Sequence, residues 1–65
     1  MSVDEALEIL TTYANTGMRV ATAAEVMHWN RKTMYKKIRL AGSAYGIDPF
    51  DFYELASVLV KGGNS

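Results

Sequence analysis

The 65-residue sequence predicts an all-α fold, a compact domain of four helices over about residues 3–15, 20–28, 31–41 and 49–60. Three observations lead there. Apolar residues recur three and four apart, with no run of the every-second-residue alternation that marks a strand. Each apolar run is preceded by a residue suited to capping a helix start. The gaps between runs hold Gly, Asn or Pro, the residues that end helices or bend chains.

Ser2 followed by Glu5 has the spacing of a capping box, in which two side chains satisfy backbone donors at a helix start. The first helix then places Val3, Ala6, Leu7, Leu10, Tyr13 and Ala14 on its apolar face, and Asn15-Thr16-Gly17 stops it. Thr22 to Glu25 is a second capping-box spacing and marks a short helix whose first turn can include Val20 and Ala21. After a turn of about three residues, Asn30 is placed to cap the third helix and Gly42 to end it. Asp48-Pro49-Phe50-Asp51 announces the fourth, with a capping acid, proline at the first helical position and a second acid near the positive end of the helix dipole. Residues 1–61 are thus read as one domain and 62–65 as a disordered polar tail.

A chain this short buries only about 60% of its unfolded surface, so help from a partner subunit is an early expectation. It contains no cysteine, which removes disulfides, zinc ribbons and thiol nucleophiles together. No apolar stretch reaches the roughly 18 residues of a membrane span and no secretory signal opens the chain, so a soluble, cytoplasmic protein is expected. The formal net charge is zero, yet the charges are segregated. Arg19, Arg31, Lys32, Lys36, Lys37 and Arg39 face only Glu25 in the middle of the chain, while Asp4, Glu5 and Glu8 sit at one end and Asp48, Asp51 and Glu54 near the other.

The basic stretch coincides with the short helix, the tight turn and the third helix. Ala23 and Ala24 are small enough for two helices to cross. Met27, Trp29, Met34 and Ile38 are spaced to pin the third helix from beneath, which turns Lys32, Lys36 and Arg39 outward, with Thr33, Tyr35 and Lys37 beside them. The segment Ala23-Ala24-Glu25-Val26-Met27-His28-Trp29-Asn30-Arg31-Lys32-Thr33-Met34-Tyr35-Lys36-Lys37-Ile38 resembles, without a gap, the helix-turn-helix of bacterial and phage regulators of the Fis-like type. The resemblance spans about a third of the chain and implies a binder of double-stranded DNA that inserts its third helix into the major groove. It implies base contacts from Arg31, Lys32 and Lys36, with Tyr35 and Lys37 on the backbone. Arg19, Thr22, Thr33 and Arg39 complete the expected DNA-binding set. The turn of that motif normally carries glycine where this chain has His28.

Simpler roles account for the remaining chemistry-bearing residues. Trp29 belongs to the turn and is read as core rather than as a stacking platform. His28 is a lone histidine, and Glu25 has a capping role and no accompanying nucleophile. No catalytic set, metal site or cofactor is expected. On the last helix, Phe52, Tyr53, Leu55, Ala56, Leu59 and Val60 spread over an arc of about 160° that covers the core. Phe50 and Val58 fall outside that arc and are the expected contacts with a second subunit of a homodimer. The expected function is sequence-specific DNA binding by a small transcriptional regulator or architectural factor. The rivals are a protein-interaction module, as inhibitor or adaptor, on the same scaffold, and the DNA-recognition piece of a phage packaging, excision or replication protein.

Overall fold

The Glu5 N–H donates to Ser2 Oγ at 3.1 Å and opens α1, Val3–Asn15. The computed structural model describes the backbone of residues 1–63 and the side chains of residues 1–60. It continues with α2, Val20–Met27, α3, Arg31–Tyr45, and α4, Phe52–Gly63, and has no strand among the described residues. The all-α, four-helix architecture is the one that the apolar periodicity predicts.

The helices close on one core. Ile9, Leu10, Met34, Ile38 and Leu55 are its largest fully buried side chains, joined by Ala6, Tyr13, Ala23, Ala24, Ala41 and Val58. α1 lies at the centre, packing on α3, α4 and α2, and α2 also packs on α3. Ile9 was not among the apolar positions expected for α1, whereas the expected Val3 is 61% exposed. The stripe is therefore rotated toward residues 6, 9, 10 and 13. Among the described residues no buried polar side-chain atom lacks a hydrogen-bond partner, as a small core with little energy to spare requires.

Both connections beside α2 use left-handed backbone. α1 ends through Thr16, Gly17 (φ +74°) and Met18 (φ +59°), and the Met18 N–H reaches back to the Tyr13 carbonyl at 2.9 Å. The Thr22–Glu25 box does not form the start of α2. The helix begins two residues earlier, with Arg19 as the extended residue before it and no side chain capping it. At the other end His28 takes the left-handed conformation, φ 59° and ψ 36°, and the Trp29 N–H closes on the Ala24 carbonyl at 2.9 Å. Asn30 caps α3 as expected, its Oδ1 accepting from the Thr33 N–H at 2.7 Å.

Two boundaries differ from expectation, for one reason. α3 runs four residues past 41 and ends at Gly46 (φ +68°), while Gly42 lies buried inside it. A Cβ at position 42 would overlap Pro49 Cδ and Cγ. Gly42 is thus a point of close approach for the returning loop and not a helix stop. Pro49, buried against it, belongs to the turn, so α4 starts at Phe52 with Asp51 as its cap: Asp51 Oδ1 accepts from the Tyr53 and Glu54 N–H groups at 2.9 and 3.2 Å. Asp48 instead tightens the turn, accepting from the Phe50 N–H at 3.0 Å. The backbone of α4 stays helical through Gly63, so residues 62 and 63 extend the helix instead of starting the expected tail, of which Asn64 and Ser65 lie outside the described residues.

The inner face of α4 also differs. Val58 is buried in the chain's own core and Phe50 is half-buried, its ring stacked on Tyr35 (centroids 5.0 Å apart) and edge-on to Tyr13 (6.0 Å). Neither is left free to meet a second subunit. Phe52, Tyr53 and Val60, expected inside, are exposed. With the helix starting at Phe52 and resting on α1, the Leu55–Val58–Leu59 side is the one that meets the core.

Candidate nucleic-acid interface

Two buried pins set the orientation of α3. Met34 and Ile38, one turn apart, are fully buried, so the residues opposite them must face solvent. Arg31, Lys32, Lys36 and Arg39 are exposed, as are Arg19 and Thr22 beside the start of α2. Lys32, Lys36 and Arg39 lie on the side of α3 opposite Met34 and Ile38, whereas Arg31 is exposed because it opens the helix, in register with the buried pins three and seven residues on. The short left-handed link at His28 joins α2 to α3 with only His28, Trp29 and Asn30 between them.

The expected contacts are not equally available. Arg31, Lys32, Tyr35 and Val20 line an open depression of about 620 Å³ at the N-terminal end of α3. Lys36, Arg39, Leu40 and Ser43 line a second, of about 340 Å³, farther along the helix. Thr33 is half-buried and its N–H is engaged by Asn30. Lys37 is half-buried, with Nζ 5.7 Å from the centre of the Trp29 ring, a cation–π distance. That geometry turns Lys37 toward the turn and away from the Lys32–Lys36 face. Trp29 itself is half-buried against the core, in keeping with its expected packing role.

Tyr35 is 48% exposed and held from one side by the Phe50 ring. Phe50 is itself fixed by the Asp48 turn and by the buried Pro49 next to it. An aromatic row, Tyr13–Phe50–Tyr35, therefore connects α1 to the outer face of α3. Sequence reasoning missed this row. The signal available was the Asp48-Pro49 turn chemistry, which places residue 50 one step after a locked φ.

The electrostatics vary along α3. Arg39 borders a third depression, about 440 Å³, whose lining includes Asp48 and Glu54. Those carboxylates are engaged locally: Glu54 Oε1 accepts from the Asp48 N–H at 3.2 Å. Arg39 thus has acidic residues in a depression it borders, whereas the depressions lined by Arg31, Lys32 and Lys36 hold none. Among the described residues there is no group of three or more His, Asp or Glu placed to hold a metal ion, and no helix is long and apolar enough to cross a membrane.

Comparison of the chain with protein-family models, with curated proteins and with solved structures finds no match.

Proposed function

We propose that this chain is a sequence-specific double-stranded DNA-binding protein of helix-turn-helix type, a small transcriptional regulator or architectural factor of bacterial or phage kind, acting in the cytoplasm as a homodimer without covalent chemistry. The observation that carries the reading is the division of α3 into a buried side, Met34 and Ile38, and an exposed cationic side, Lys32, Lys36 and Arg39, with Arg31 exposed at the first residue of the helix. The first turns of α3 enter the major groove. Arg31, Lys32 and Lys36 read base edges, with guanine O6 and N7 the natural acceptors. Arg19, Thr22, Tyr35 and Arg39 grip phosphates or sugars. Thr33 and Lys37, half-buried and engaged within the fold, contribute less.

The experiment is selection of bound duplexes from a random pool, followed by titration of the selected duplex across salt. A specific consensus is expected, with affinity falling steeply as salt rises, by a slope of about −0.9 per phosphate neutralised in log–log form. Charge reversal in Lys32→Glu/Lys36→Glu is expected to weaken binding at least about a hundredfold. Salt-independent binding, or no selected duplex, would remove the reading.

The rival interaction module is favoured by the zero net charge and by exposed Val26 and Leu40 on the same two helices. A protein partner captured equally well by the charge-reversed variant, with no duplex bound by either form, would establish it instead.

A further inference from the structure

Apart from Glu54, the residues 52–60 of α4 carry no charge, and the two sides of the helix meet different surroundings. Leu55, Val58 and Leu59 face the core. On the opposite side Phe52, Tyr53 and Val60 are 64%, 82% and 61% exposed. Stepping at about 100° per residue, Phe52, Ala56, Val60, Tyr53 and Ser57 fill one uncharged outer arc of roughly 140°. A helix apolar on both sides is normally covered on both, and this chain covers only one.

We infer that the outer face of α4 pairs with the same face of a second copy, the two α4 helices running antiparallel about a two-fold axis between Ala56 and Ser57. This deepens only the homodimer clause of the proposed function. The pattern is self-complementary in that direction. The axis sets Tyr53 against the partner's Val60 and Ala56 against the partner's Ser57, so a large residue meets a β-branched one at each end and two small residues meet at the crossing, where the helices must approach closely. Glu54 is the one charged residue among 52–60 and lies near the start of the helix. Antiparallel pairing keeps the Glu54 residues of the two copies at opposite ends of the pair. A parallel pair would bring acid to acid.

Area and charge are both compatible with a second copy, and they bound its strength. Large aromatic side chains offer about 150–250 Å² each, so the three exposed residues present roughly 400 Å² per chain, about half of what a standard interface buries on each side. Ala56, Ser57 and the flanking edges add to it, giving a concentration-dependent pair rather than a permanent one. A net charge of zero leaves no long-range repulsion between copies.

Sedimentation equilibrium on the full chain, from micromolar to millimolar, tests this first. The mass is expected to climb toward that of two chains. Tyr53→Glu is expected to weaken pairing about tenfold or more with the melting temperature of the dilute, monomeric protein unchanged, because Tyr53 is 82% exposed. Orientation is read by oxidative cross-linking, which the absence of native cysteine keeps clean. Mixed Tyr53→Cys and Val60→Cys chains are expected to form the mixed disulfide in preference to either symmetric one. A single-chain mass at every concentration, or symmetric Tyr53→Cys disulfides predominating, would overturn the pairing. Neither result bears on DNA recognition, which the α3 substitutions test separately.

Discussion

His28 and Met18 adopt the same left-handed backbone, φ +59°, but differ in what their side chains contribute. A non-glycine residue there carries a penalty of about 1–2 kcal/mol. Met18 offsets it by packing on the core, whereas His28 is exposed. His28→Gly is therefore expected to stabilise the fold by about 1 kcal/mol, raising Tm by about 4–8 °C for a domain of this size. Met18→Gly is expected to bring no such gain, because it exchanges strain for lost burial. Thermal denaturation of the two variants checks the contrast, and an equal rise in both would show that Met18 packing contributes nothing. The histidine at this turn was legible in the sequence as the position where the motif that the segment resembles carries glycine. Met18 was not, because a left-handed methionine has no sequence signature of its own.

At the scale of elements, the loop between α3 and α4 does more than connect. Its Pro49 fills the gap that Gly42 leaves, and its Phe50 supports Tyr35. Gly42→Ala would raise helix propensity by about 1 kcal/mol on an open helix surface. Here the added methyl meets Pro49, and a net loss of about 1–3 kcal/mol is expected in denaturant titration. A stabilised variant would mean that the loop moves aside freely. Phe50→Leu keeps apolar bulk but removes the stacked ring. It is expected to weaken duplex binding several-fold in wild-type background and to add nothing in a Tyr35→Ala background, a double-mutant cycle that isolates the link between the two rings. Helix existence, the Ser2 and Asn30 caps and the outward cations were all readable from spacing. The misplaced ends of α3 and α4 were not, because Gly42 has the composition of a stop and acquires its meaning only from Pro49, seven residues away in sequence and in contact in space. The apolar arc of α4 misled for a related reason. With apolar residues on both sides, periodicity alone does not choose which side faces α1.

For the molecule as a whole, a core whose largest members are only Ile9, Leu10, Met34, Ile38 and Leu55 leaves little margin. Ile9→Ala is expected to cost about 2–5 kcal/mol, enough to unfold much of the population, as loss of cooperative thermal melting would report. Alkaline pH works on the same margin. Burial, then the nearby Asp48 carboxylate, then Tyr35 raise the Tyr13 hydroxyl above its ordinary pKa of 10.0. The unfolded chain thus releases that proton first. The contribution is fully present below pH 10 and is lost as pH climbs from there through the folded-state value. Tyr13→Phe is expected to flatten this alkaline decline, and an unchanged pH profile would assign the loss to other groups.

The placement of Trp29 has a practical consequence. It is the sole indole in the chain, lodged at the hinge of the two outer helices with the Lys37 ammonium 5.7 Å from its ring centre. Any rearrangement that draws Lys37 off the ring alters the local field on that chromophore, so a change in Trp29 emission on titration with duplex, with no added dye, is the expected sign that the turn responds to binding.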